Sequence, residues 1–143
     1  MKHQAFWDAS ALAPLCIDFQ ATPEIDEFFQ ELDIVVWWGA AVEVRCSFAR
    51  LERIGQLTAA GAADARVRFD DLKRRWHEIQ PTPALRDLAE RLPARFGLRA
   101  ADSFQLAAAS TWTMHRPANR RFLSGDLRLL EAARQMGFRA IAV

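Results

Sequence analysis

At 143 residues, with 19 Lys+Arg against 18 Asp+Glu and a formal net charge of +1, the chain suits one domain over 1–143 and lacks the global charge that would draw it onto nucleic acid. Cys16 and Cys46 form neither a disulfide framework nor a metal-ligand spacing and are expected to be buried thiols of a reduced, cytoplasmic protein. Apolar stretches too short for a bilayer, and no basic region leading into an apolar one at the N-terminus, argue against membrane and secretion alike.

The first element is the apolar run Ala5-Phe6-Trp7, which ends abruptly in Asp8 and Ser10 before the helix formers Ala11, Leu12 and Leu15. This pattern predicts a buried strand feeding a helix over 9–17. Asp8 then stands at the carboxyl end of a strand, the edge at which open α/β sheets bind ligands. It is equally a good helix cap. Thr22-Pro23-Glu24 opens a second helix that ends near Gln30, and Ile34-Val35-Val36-Trp37 is a β-rich run. Gly39 starts a long helix through Ile54, with Ala41, Val44, Phe48 and Leu51 as its apolar stripe and Glu43 on the stripe's boundary.

A second long helix, 58–76, carries Arg66, Arg68, Lys73, Arg74 and Arg75 on what reads as a solvated face. His77-Glu78-Ile79 is a short strand closed by Pro81 and Pro83; a helix follows over 84–91, and Pro93 and Gly97 are expected to break what comes next. The helix over 99–109 is small and apolar almost all round, hence buried. Arg121-Phe122-Leu123-Ser124 is a strand, Gly125 a turn, 126–136 a helix ended by Gly137, and 139–143 a last strand. Strands alternating with helices imply an α/β sandwich of three layers, helices covering both faces of a central, mainly parallel sheet.

Three further acids join Asp8. Asp102 lies in the apolar helix with Leu106 and Ala109 on its own side, and a buried carboxylate is unfavourable unless paired, hydrogen-bonded or bound to a cation. Asp126 repeats the strand-to-helix setting of Asp8, and helix capping is again the simplest role for it alone. Glu43 borders the long helix. Two carboxylates 4 Å apart repel by on the order of 4 kcal/mol at an effective dielectric of about 20. If all four converge they require a cation or raised pKa values. With no His or Cys beside them, the fitting cation is hard, Mg²⁺ or Mn²⁺ rather than zinc.

Asp8-x-Ser10-Ala11-Leu12, Trp37-Trp38-Gly39 leading to Glu43, Leu98-Arg99-Ala100-Ala101-Asp102 before Leu106-Ala107-Ala108-Ala109, and Phe122-Leu123-Ser124-Gly125-Asp126 together resemble the PIN domain, specifically the VapC-type toxins. The resemblance runs in order over essentially the whole chain. It implies a Mg²⁺-dependent endoribonuclease toxin of a type II toxin-antitoxin module, usually a homodimer and held inactive by a small antitoxin protein. By the same resemblance Asp8, Glu43, Asp102 and Asp126 are the metal-binding quartet, with Ser10 and Ser124 supporting it. Where many relatives carry His the chain has Gln105, read as packing or as support for the acids.

An acidic pocket repels RNA, so binding is expected from rim arginines, Arg99 and Arg121 first, with Arg116, Arg120 and Arg128 also expected near that edge. The five tryptophans are assigned to the core ahead of stacking on bases; an exposed Trp76 between the two long helices would instead suggest a groove for an antitoxin helix. Phosphotransfer or dehalogenase-like readings want a lysine at a strand end beside the acids, and Lys2 and Lys73, the only lysines, are not placed there. The remaining alternative is a catalytically weak or inactive PIN-like binding module.

Overall fold

The computed structural model describes residues 3–17 and 20–143; Lys2 lies outside them. Five strands form one parallel sheet: β1 (His3–Trp7), β2 (Leu32–Trp37), β3 (His77–Ile79), β4 (Arg121–Ser124) and β5 (Arg139–Ala142), in the order β3-β2-β1-β4-β5. Among the described residues seven helices connect them: α1 (Ala9–Cys16), α2 (Pro23–Glu31), α3 (Ala40–Arg53), α4 (Ala59–Lys73), α5 (Pro83–Phe96), α6 (Ala100–Trp112) and α7 (Leu127–Met136).

A central parallel strand has no solvated face, so its side chains alternate between two cores instead of between core and water. Ala5 and Trp7 of β1, with Ile34 and Val36 of β2, enter the core beneath α1, α3 and α4, where Val44, Phe48 and Phe69 meet them. Phe6 and Val35 point the opposite way, into a core closed by Leu85 and Leu92 of α5, Leu106 of α6 and Leu129 of α7. Phe6 and Phe122, side by side on β1 and β4, stack with centroids 5.4 Å apart. The three layers are those expected.

Proline punctuation misleads at α5. The helix runs through Pro93 to Phe96 and stops only at Gly97, whose φ of 68° is the left-handed conformation that favours glycine. Pro93 gives up one backbone hydrogen bond, to the carbonyl of Ala89, but Leu85, Ala89 and Leu92 are buried along one side and hold the helix together across it. Cys46 corrects the expectation of two buried thiols: Cys16 is buried, whereas Cys46 is exposed. It sits two residues from both Val44 and Phe48, about 200° around α3 from each, and therefore faces away from the core. Trp76 is not the exposed ring that an antitoxin groove would require: it packs partly buried against Phe69 at 5.5 Å, and its Nε1 donates to Glu78. No helix among the described residues is long and apolar enough to cross a membrane.

The chain leaves β1 for β2 and β3 on one side, then crosses to β4 and β5 on the other. Its direction of winding reverses between β1 and β4. At such a switch point the connections depart to opposite faces and open a crevice at the carboxyl ends of the strands. Asp8 and Ser124 occupy that position.

Candidate active site

Asp8 follows the last residue of β1, which pairs with Leu123 of β4, and its N–H donates to the Leu123 carbonyl at 3.0 Å. It holds the N-cap position of α1, yet its side chain makes no cap hydrogen bond. The carboxylate turns across to β4 instead. Ser124 Oγ donates to Asp8 Oδ2 at 2.9 Å and Ser10 Oγ donates to the same oxygen at 2.5 Å. Both hydroxyls are engaged again: Ser10 Oγ accepts from the Gly125 N–H at 2.8 Å, and Ser124 Oγ from the Asp126 N–H at 2.9 Å. The β1–α1 and β4–α7 turns are thereby tied through a single carboxylate oxygen, leaving Oδ1 without a side-chain donor among the described residues.

Asp126 is a helix cap as well as a member of this edge, its Oδ1 accepting from the N–H groups of Arg128 and Leu129 at 2.9 and 3.2 Å. Asp102 stands in the first turn of α6, and Glu43 in the first turn of α3. These two helices belong to opposite layers but both begin at the carboxyl edge. Across it, Gln105 Nε2 donates to both oxygens of Glu43 at 3.2 Å each. Gln105 is fully buried, and its Oε1 has no hydrogen-bond partner.

The electrostatics identify which acids share the space. Burial raises the Asp8 carboxyl above its usual range, and the hydroxyls of Ser10 and Ser124 only partly oppose it; the N–H groups of Ser10 and Ala9 add a smaller opposing pull. Glu43 is pushed up to about 7, first by burial, with Gln105 opposing and the charges of Asp8 and Asp102 adding to the rise. Asp102 is raised by burial and then by Asp126 and Asp8, while Arg99 and Arg128 pull it down. Asp8, Glu43 and Asp102 therefore lie within one another's electric fields, and Asp126 joins them through Asp102. Among the described residues no salt bridge reaches any of the four.

The donors are all oxygen and their charges repel, which fits a hard divalent cation. Among the described residues no group of three or more His, Cys, Asp or Glu side chains is arranged to hold a metal ion. Mg²⁺ commonly keeps several waters and relies on one or two carboxylates plus substrate phosphate, so such a donor set suits it better than an ion that demands a closed protein cage.

The rim arginines divide by sheet edge. Arg99 caps the start of α6, Arg128 lies in the first turn of α7, and both act on Asp102. Arg121 begins β4, three residues before Ser124 or about 10 Å along the strand, and the structure does not bring it to the acids. Arg120 precedes it and rests its guanidinium over Trp112 at 4.2 Å. α6 runs back from the carboxyl edge, so the segment after it, including Arg116, returns at the far side of the sheet. Arg121, Arg120 and Arg116 are thus displaced from the edge at which they were expected.

No protein-family model and no curated protein matches the chain. Solved structures do. The crystal structure of PAE2754 from Pyrobaculum aerophilum superposes with a TM-score of 0.68 at 16% identity, over 98% of this chain and 90% of that one. That of FitAcB from Neisseria gonorrhoeae gives 0.64 at 14%, over 96% of each. A toxin-antitoxin complex from Klebsiella pneumoniae gives 0.56 at 17%, over 86% and 87%. Likeness at these identities establishes the fold, and the fold is the PIN-like α/β sandwich that the four motifs implied.

Proposed function

We propose that this PIN-like chain is a metal-dependent endoribonuclease, the toxin of a type II toxin-antitoxin module, which hydrolyses RNA phosphodiester bonds at the carboxyl edge of its sheet. The observation that carries the reading is the mutual repulsion of Asp8, Glu43 and Asp102, delivered from three separate segments with no salt-bridge partner among the described residues. Such a cluster keeps its charge only beside a cation. Bound Mg²⁺ or Mn²⁺ would supply an activated water and neutralise the leaving oxygen.

The chain's own residues have the remaining tasks. Asp8 and Asp102 would hold the principal ion, Asp8 with its orientation fixed at Oδ2 by Ser10 and Ser124. Glu43, steadied by Gln105, and Asp126, steadied by the N–H groups of α7, would orient water or a second ion. Arg99 and Arg128 receive flanking phosphates. A small antitoxin protein and a homodimeric state belong to the same proposal; the likeness to a chain of a toxin-antitoxin complex supports the former.

Asp8→Asn and Asp102→Asn test it. Both should stay folded by circular dichroism and lose Mg²⁺-dependent RNA cleavage, and full retained cleavage by either would refute the assignment. A titration with no divalent-ion binding at millimolar Mg²⁺ would return the chain to the inactive binding-module reading.

A further inference from the structure

Beside the acids lies a groove of about 500 Å³ lined by Trp37, Trp38, Pro81, Pro83, Phe104 and Arg86, among others. We infer that it is a slot for one unpaired base of the substrate, next to the bond that is cut; the inference rests on the ribonuclease reading and adds that the substrate strand is single or looped at that point.

Trp38 is 52% exposed, unusual for so large an apolar ring. The floor beneath it is rigid: Trp37 and Phe104 stack with planes 2° apart and centroids at 5.3 Å, and Trp38 stands edge-on to Trp37 at 6.2 Å. A Cβ at Gly39 would fall 2.5 Å from Trp37 Nε1, so glycine there lets the indole lie flat against the turn. The volume lies within the range of small-ligand sites. Flat apolar walls suit the face of a base, and exposed Arg86 at the mouth suits its polar edge or a phosphate.

Continuity with the acids selects this occupant. Gly39 caps α3, whose first turn carries Glu43, and Phe104 lies between Asp102 and Gln105 on α6. A strand gripped at one phosphate by the acids must lay its neighbouring nucleotide on the adjoining surface, and on this side that surface is aromatic. A base within a duplex has both faces covered by stacking, whereas an unpaired, splayed-out base has a face to offer.

The test compares wild type, Trp38→Ala and the control Met114→Ala, which removes a 78% exposed side chain remote from the groove. Cleavage kinetics are measured on an unstructured oligoribonucleotide, intact or abasic beside the mapped cut, and binding is measured with Asp8→Asn as the background. Trp38→Ala should raise KM and Kd about ten-fold, leave kcat and Tm essentially unchanged, and lose its penalty on the abasic strand. An equal penalty on both strands, or none, overturns the slot. So does a Trp38→Ala chain that turns monomeric with unaltered Kd, since the face would then belong to a second copy. Should wild type cut no RNA, the ribonuclease reading fails separately, and the Kd comparison still decides the slot.

Discussion

Gln105 reaches across the carboxyl edge of the sheet from α6 to α3, donating from Nε2 to both carboxylate oxygens of Glu43 while its own Oε1 stays buried without a partner. The two residues are 62 apart in the chain, yet this contact fixes where the Glu43 charge sits relative to Asp8 and Asp102. Support of this kind around a metal site is typically worth 10- to 100-fold in affinity or activity. Gln105→Met keeps volume and removes the donor together with the orphaned carbonyl. Cleavage should fall by roughly that factor while Tm moves only by about a degree or two, because a lost charge-assisted hydrogen bond is offset by removal of an unsatisfied buried oxygen. Since Gln105 lowers the Glu43 pKa, the acid limb of the pH–rate profile should also move to higher pH. A variant with wild-type rate and profile would reduce Gln105 to packing.

The raised carboxyl of Glu43 makes stability depend on pH in a definite direction. In the folded chain Glu43 holds its proton up to about 7, against 4.5 for a free glutamate side chain, with burial as the first cause. Unfolded chains ionise first as pH rises, so this contribution to stability is fully present below about 4.5 and is lost on passing about 7. Asp8 and Asp102 shift the same way. Glu43→Gln cannot ionise and lacks the effect. With EDTA present, the variant's Tm advantage should grow by several degrees between about pH 5 and about pH 8, and Mg²⁺ at the upper pH should raise wild type more than the variant. A constant Tm difference across that range would contradict the placement of Glu43.

Ser124 Oγ joins three groups: it donates to Asp8 Oδ2, accepts from the Asp126 N–H, and lies 3.2 Å from Ser10 Oγ. The side chain is fully buried. Ser124→Ala therefore leaves the partly buried Asp126 N–H without its acceptor and removes a donor from an already unfavourable carboxylate, which should destabilise the fold by about 1–3 kcal/mol. Ser10→Ala removes the second donor. Because both act on one oxygen, the double variant should depart from additivity by more than about 0.5 kcal/mol in a denaturant cycle. Simple addition would mean that Ser10 and Ser124 do not share Asp8 in solution.

What the sequence disclosed and what it hid separate along physical lines. Asp8 and Asp126 were legible because an apolar run that stops at an acid before helix formers has few other interpretations, and the parallel pairing of β1 with β4 then brings both to one edge. Asp8 holds the N-cap position of α1 but makes no side-chain cap hydrogen bond, its carboxylate accepting instead from Ser124 of a remote strand; no local pattern encodes that. Arg121 was expected among the rim arginines of the acid edge, whereas an extended strand carries the chain about 3.3 Å per residue away from that edge. Cys46 was expected inside because its helical surroundings are apolar, but its phase on α3 decided its exposure. The Gln105–Glu43 contact joins opposite layers, and its only local hint was a polar side chain one turn past Asp102 on an otherwise apolar helix.

The division of the arginines yields a prediction in which one edge of the sheet serves as control for the other. Arg99 and Arg128 are exposed at the acid edge and lower the Asp102 pKa, whereas Arg121 sits at the start of β4. If a phosphate neighbouring the cut bond rests on Arg99 or Arg128, its loss should raise KM several-fold and reduce the dependence of log KM on log salt concentration by about one contact's worth, roughly 0.7 for a single strand. Either loss should also move the acid limb of kcat to higher pH, because Asp102 would retain its proton longer. Arg121→Ala should change none of these quantities. The opposite result, a salt slope that falls for Arg121→Ala and stays fixed for Arg99→Ala and Arg128→Ala, would mean that RNA crosses the amino edge of the sheet and that the acids at the other edge do not meet its backbone.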